Sequence, residues 1–472
     1  MGAFGQGRVV ARRTARLGQE LVKITAGRSE VAPAPGDRRF SDPAWTTNPL
    51  YHRVEQTYLA AAQAIGGVVE ESGRRGDRRR TSEASFAATI LPSGLAPTNY
   101  FPTNPVAVKE AFDTAGMSLV RGARNFASDV RHNGGMPSMV ERGAFTVGTD
   151  LALSPGAVVS RDAVAEVLQY TPSTEKVYER PVLVVPPPIG RFYFLDLRPG
   201  RSFVEYAVAQ GMQTFTMSWR NPQAAQGDWG LDTYAGRVST AIDEVREISG
   251  SEDVNVIGFC AGGIITTTLL NHLAAHGQTR VHSMSYAVTM LDFGDPAQLT
   301  AFAGPRLVRF AKGRSRRTGV ISAREMGSAF TLLCPDDLVL NFAVNNYLLG
   351  RKPPALDNLA WNADGTSLPG ALHGQFLDVF AENRQTKPRA LTVLGTRSSC
   401  GGSRCRPLSP GRSLTTSPRG RAATARPAIR RGQHVRSQLF RTHRQPGQTT
   451  PATPSPATGA AANPDRPRRN GS

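Results

Sequence analysis

A cysteine with glycine two residues to either side is the pattern in this chain that could do chemistry. Cys260 lies in Gly258-Phe259-Cys260-Ala261-Gly262, a Gly-x-Cys-x-Gly run. Glycines at those positions let a strand and a helix close around a strained apex residue, and a thiolate at the apex is a nucleophile toward acyl carbon. The start of the helix beside it is expected to lower the thiol pKa. The backbone N–H of Ala261, one residue on, can point at the oxyanion that such an attack develops. The bland alternative is an inert core residue in a Gly-rich turn, which is what most free cysteines are.

The flanking residues supply the strand and the helix. Val254–Ile257 is short, mostly apolar and β-branched, and after the turn Ile264, Ile265, Leu269, Leu270 and Leu273 recur at helical spacing until Gly277. Similar units surround them. Val182–Val185 reads as a strand ending in Pro186-Pro187-Pro188-Ile189-Gly190, and Phe203–Gln210 as a helix. Thr214–Trp219 reads as a strand, Thr233–Ile248 as an amphipathic helix, and a further strand falls near Ser285–Leu291. Alternation of this length predicts a mostly parallel sheet with helices on both faces, and chemistry at the carboxyl ends of its strands. Residues 296–388 turn helical again, as a cap inserted over such a core would, and Leu391–Leu394 looks like the sheet resuming. The expected fold is α/β, α/β-hydrolase-like, with a helical cap and a preceding helical domain.

Outside that region the sequence is less informative. Residues 1–40 are basic and Gly/Ala-rich, and read as a flexible N-terminus. Residues 41–165 read as a mainly helical domain. Tyr51, Val54, Tyr58, Leu59 and Ala62 share one helical face, and Val106, Phe112, Leu119, Val120 and Phe126 suggest a second helical region. Residues 166–396 form the α/β unit. No apolar run approaches the ~20 residues that span a bilayer, and no signal-peptide core follows the basic N-terminus, so the expectation is a cytoplasmic protein. The four cysteines fit neither a disulfide framework nor a zinc spacing, and no metal or cofactor is expected. The net charge of +19 is unevenly spread: fifteen Arg and a single Asp after Thr396 account for +14 of it. A nucleic-acid reading would therefore rest on the tail alone, and nucleic acid is not an expected partner.

Several stretches, in order, resemble a polyhydroxyalkanoate (poly-3-hydroxybutyrate) synthase of the class I type. They are DPAW at Asp42, RHNGGMPS at Arg131, PPPIGRFYFLDL at Pro186, SWRNP at Ser218, GFCAGG at Gly258, VNNYLLG at Val344 and WNAD at Trp361. The family usually has Asn-Lys where Gly190-Arg191 stand and Arg-Pro-Asn-Asp where Cys334-Pro335-Asp336-Asp337 stand. The resemblance implies polymerisation of (R)-3-hydroxyacyl-CoA through a Cys260 thioester, with CoA released. It also implies backbone N–H groups of Ala261 and Ile189 as oxyanion donors, a polyester granule as partner, a homodimer among its assemblies, and a place at the granule surface in the cytoplasm.

The nucleophile has no evident base. In this fold the acid and then the His follow the nucleophile, after later strands. The family carries an Asp-His segment and a Gly-His-Ile turn after the stretch that here reads Leu391–Thr396. The segment beyond Thr396 holds ten Pro and a single aromatic, Phe440, and reads as a disordered Arg/Pro-rich tail, 397–472, without strands. Ser413–Gly420 can be back-translated so that a one-nucleotide offset reads Leu-Val-Asp-His-Ile-Thr-Pro-Trp, which favours a frame-shift. His373, in the cap, is the candidate substitute base. His272, His276 and His282 read as polar-face residues of the elbow helix and its exit, His52 and His132 belong to the N-terminal domain, and His434 and His443 to the tail. Asp292, Asp295, Asp336 and Asp337 read as helix-cap or surface carboxylates. Three functions stay open: a synthase with a damaged C-terminus and little activity, a thiol-dependent esterase or acyltransferase of the same fold, and a non-catalytic protein that coats granules or binds nucleic acid through its tail.

Overall fold

The computed structural model describes residues 3–73, 88, 90–293, 304–331, 335–398 and 422–424. Six strands form the central sheet: β1 Gly156–Arg161, β2 Ala165–Tyr170, β3 Val182–Val185, β4 Thr214–Trp219, β5 Val254–Phe259 and β6 Val281–Ala287, in the order β1-β2-β4-β3-β5-β6. β4, β3, β5 and β6 run parallel, while β1 and β2 join antiparallel at one edge. Parallel strands covered on both faces read as largely apolar, and all residues of β3 and β4 are buried, including the small hydroxyl side chains Thr214, Thr216 and Ser218 of β4.

Two helices cover one face. α4 (Leu231–Ser249) presents Val238, Ile242 and Val245, and α5 (Ala261–Ala275) presents Ile265, Leu269 and Leu273, all into one core cluster with Leu183, Phe215, Met217 and Val256. On the opposite face Val182, Val184, Val204 and Val208 make a smaller cluster. Each fully buried aliphatic side chain contributes on the order of 1.5–3 kcal/mol. The sheet is therefore a rigid platform, and its carboxyl edge presents the turn after β5.

N-terminal to the sheet lie α1 (Ala3–Thr25), α2 (Pro49–Gly73) and α3 (Met117–His132). The first differs from expectation: the segment read as flexible is a helix lying along α2. Val9 and Ile24 are buried, and Arg12 and Arg13 both pair with Glu71. Its partner lies some tens of residues downstream, which a local pattern does not reveal. The helical region is also shorter than expected. It ends at His132, and the sheet begins at Gly156, inside the stretch read as helical. Thr233–Ile248 and Phe203–Gln210 match the observed helices to within two residues, whereas the strand near Ser285–Leu291 runs over Val281–Ala287.

The cap holds α6 (Pro305–Thr318) and α7 (Gly370–Glu382), with two π-helical turns, Asp336–Leu340 and Val344–Leu348, between them. It is tied to α3. A Cβ on Gly122 would lie 1.8 Å from the Tyr347 carbonyl oxygen, so only glycine admits this crossing. Asp129 accepts from the Tyr347 hydroxyl at 2.9 Å and from the Ser138 amide at 3.0 Å, and Asn346 donates to the Ser138 carbonyl at 2.8 Å. The RHNGGMPS and VNNYLLG stretches are thus two halves of one joint.

Two expectations about the C-terminal end fail. Leu391–Leu394 does not resume the sheet: Thr392–Val393 pairs with Thr396–Arg397 in a two-residue hairpin against α5. The tail was read as free of strands, yet Ala422–Thr424 pairs antiparallel with Lys176–Tyr178. Backbone donors and acceptors can pair whatever the side-chain composition. Asp295, Cys334, Cys400, Cys405, His434 and His443 lie outside the described residues.

Candidate active site

The turn between β5 and α5 is built by exclusion of side chains. A Cβ on Gly262 would meet the Val185 carbonyl oxygen at 2.2 Å and the Pro186 carbonyl oxygen at 2.7 Å. One on Gly258 would meet the Gly263 Cα at 2.6 Å, and one on Gly263 the Thr289 hydroxyl at 2.4 Å. Backbone therefore packs closely at Gly258 and Gly262, and the Thr289 side chain at Gly263. The chain reverses between them at Cys260, which has φ +49° and ψ −121°. A non-glycine residue there is strained by roughly 1–3 kcal/mol. The Cys260 amide donates to the Ala287 carbonyl at 3.0 Å, and Thr289 donates to the carbonyls of Gly258 and Cys260. Fixed in this way, the side chain projects at the carboxyl end of β5 and is exposed.

The thiol is not activated by its surroundings. Although the residue is exposed, the protein around its sulphur pushes the thiol above its usual range, and the opposing effect of the Ala261 N–H is smaller. The expectation that the start of α5 would lower it is overturned by this balance, since desolvation disfavours the charged form. A thiol-alkylation rate measured against pH is expected to rise through a midpoint above the free-cysteine value of about 8.5. A midpoint below it would show an activating partner.

The second proposed oxyanion donor, Ile189, lies in the loop after β3. That loop is clamped from three sides. The Trp219 indole donates to the Pro186 carbonyl at 2.8 Å, Thr366 donates to the Pro188 carbonyl at 3.0 Å, and the Gly190 amide donates to Thr366 at 2.7 Å. Gly190 has φ +93°, and a Cβ there would strike the Trp361 ring at 2.6 Å. Trp361 donates to the Arg191 carbonyl at 2.8 Å, while Asp364 accepts from Tyr193 at 2.9 Å and from Arg191 at 3.2 Å. The PPPIGRFYFLDL, SWRNP and WNAD stretches therefore meet at the loop beside the elbow. Which of these side chains would hold it was not legible from sequence.

The histidines do not assemble around the thiol. His373 on α7 is half-buried, bonds the Ser315 hydroxyl of α6 at 3.2 Å, and is held below its ordinary value by burial. His272 bonds Thr396 at 2.8 Å and its ring lies tilted against that of His276 at 4.3 Å; His282 faces Asp253 at 3.4 Å. His52 bonds the Trp45 carbonyl and His132 the Ser128 carbonyl. Asp292 accepts from Asn383, and Asp336 accepts from Ser93. Among the described residues, no histidine or carboxylate side chain bonds Cys260, and no group of three His, Cys, Asp or Glu could hold a metal ion. No helix among them is long and apolar enough to cross a membrane.

Comparison with known proteins gives two family matches. Residues 36–207 match the poly-beta-hydroxybutyrate polymerase (PhaC) N-terminus, and residues 199–398 match the alpha/beta hydrolase fold. Poly(3-hydroxyalkanoate) polymerase 1 of Ectopseudomonas oleovorans is 44% identical over 386 residues, covering 82% of this chain and 68% of that protein. Polymerase 2 of the same organism is 45% identical over 383 residues, covering 80% and 68%. The poly(3-hydroxyalkanoate) polymerase subunit PhaC of Cupriavidus necator is 36% identical over 379 residues, covering 79% and 64%.

Proposed function

The chain belongs to the poly(3-hydroxyalkanoate) polymerase family, and on that premise we propose that its fold serves acyl transfer from (R)-3-hydroxyacyl-CoA through Cys260. The thiolate attacks the thioester carbonyl, a new S–C bond forms, and CoA leaves as its thiolate. The 3-hydroxyl of a second acyl group then attacks the enzyme thioester, gives its proton to a base, and releases the cysteine sulphur as an ester forms. One thioester replaces another, so the acyl group stays activated at little cost. The backbone N–H groups of Ala261 and Ile189 are assigned to the oxyanion. The polymer granule surface, in the cytoplasm, is the assigned location.

The observation that supports this reading is the strained apex at Cys260, held by glycines against the end of β3. A cysteine kept only for packing has no need of positive φ or of an exposed position. The same reading carries a limit. With the thiol pushed up and no base bonded to it among the described residues, the chain as written is expected to be a slow enzyme or a non-catalytic granule protein. The frame-shift reading after Thr396 accounts for the missing Asp and His.

Product analysis separates the catalytic alternatives. In a chain with the frame restored, 3-hydroxybutyryl-CoA is expected to give polymer. Free 3-hydroxybutyrate as the sole product would instead identify a thiol-dependent esterase.

A further inference from the structure

The loop after β3 is fixed by one side chain at two points. Thr366, 3% exposed, donates its hydroxyl to the Pro188 carbonyl at 3.0 Å and accepts from the Gly190 amide at 2.7 Å. The two bonds bracket Ile189. Its own amide has no bonded acceptor among the described residues. That N–H belongs to the same peptide unit as the Pro188 carbonyl. The unit is planar and trans, so its C=O and N–H point in opposite directions. Holding the carbonyl on Thr366 therefore sets where the N–H points. Thr366 is itself held on both sides: the Ser367 amide donates to the Asn221 side chain at 2.9 Å, and Asp364 accepts from the Tyr193 hydroxyl at 2.9 Å.

We propose that Thr366 is a positioning residue for acyl transfer, its hydroxyl holding the Pro188–Ile189 peptide in the orientation that presents the Ile189 N–H to the oxyanion. The proposal rests on the assignment of Ile189 as an oxyanion donor. A donor contributes to catalysis to the extent that it is aimed before the charge forms. A peptide released from its anchor can rotate, and the loop then has to be reordered during the reaction. The hydroxyl suits the task because a single oxygen donates to one neighbour of Ile189 and accepts from the other. A methyl in its place can do neither. Thr366 lies 178 positions beyond Pro188, so the second oxyanion donor is complete only when the segment after Trp361 is seated against the loop.

Two reagents separate aiming from folding. p-Nitrophenyl acetate acylates a thiolate through a tetrahedral oxyanion and expels p-nitrophenolate. Iodoacetamide alkylates the same thiolate by displacing iodide, and no oxyanion forms. Both can be applied to the chain as written. In Thr366→Val, acylation of Cys260, followed by mass spectrometry, is expected to slow by about 10²-fold, while alkylation at the same pH keeps the parent rate. Thr366→Ser, which keeps the hydroxyl, is expected to restore acylation. Two rates that fall together would show a structural role alone. An unchanged acylation rate, or a Ser variant as slow as the Val one, would show that the hydroxyl does not aim the donor. Each of these results overturns the proposal. Cys260→Ala distinguishes such a failure from that of the catalytic reading. If it releases p-nitrophenolate at the parent rate, the assignment of Cys260 falls and the proposal with it. If it is silent while Thr366→Val acylates at the parent rate, this proposal falls alone.

Discussion

Incubated with 3-hydroxybutyryl-CoA, the chain as written is expected to release CoA about 10²–10⁴-fold more slowly than the same chain with its frame restored after Thr396. The size of the effect reflects the two proton transfers that the proposed reaction asks of a general base. It takes the proton of a thiol whose pKa the surrounding protein raises, and it takes the proton of the incoming 3-hydroxyl. The backbone donors that remain cannot perform either transfer. Members of a catalytic unit fail together, so Cys260→Ala in the restored chain should lower the rate to nearly that of the unrestored one, and no further. Equal rates in the restored and unrestored chains would contradict this. In that case His373 would be tested as the base, with a rate falling as pH drops through its lowered pKa.

Gly262→Ala, at the first turn of α5, is expected to destabilise the fold by about 3 kcal/mol or more, at the upper end of overpacking effects. The added carbon would lie 2.2 Å from the Val185 carbonyl oxygen, and β3 is a central strand with nowhere to retreat. Separation of β3 from α5 would also displace the loop carrying Ile189. Gly236→Ala in α4 is the matched control. Its Cβ would meet only Leu394 at 3.8 Å, so it should be neutral or stabilising by up to ~1 kcal/mol through helix propensity. Urea denaturation of both variants checks the pair. Comparable midpoints would show that the elbow is looser than its geometry implies.

The centre of the fold was legible in the sequence because that part is encoded locally. Val182–Val185 is a continuous apolar run and Thr214–Trp219 alternates Phe215, Met217 and Trp219 with small hydroxyl side chains, both compatible with buried strands, and their observed bounds match. The glycines around Cys260 announce a backbone crossing without naming its partner. β1 and β2 were missed because Ser160, Glu166 and Gln169 interrupt their apolar character, and the surrounding stretch reads as helical. The Asp162 turn between two period-two runs was the available signal: its carboxylate accepts from the amides of Val164 and Ala165. The direction of the Cys260 shift was not legible, since it depends on how much protein closes over the sulphur. The clamp on the Ile189 loop joins residues more than a hundred positions apart, Trp361 and Thr366 among them, and no local pattern carries that distance.

The most direct test of the account is the covalent state of Cys260 during turnover. Mass spectrometry of the frame-restored chain, quenched with 3-hydroxybutyryl-CoA present, should find a 3-hydroxybutyryl or oligomeric acyl thioester on the peptide bearing Cys260. The same peptide of the chain as written should stay unmodified over the same interval. An acyl group on any other residue, or equal acylation of Cys260 in both chains, would contradict it.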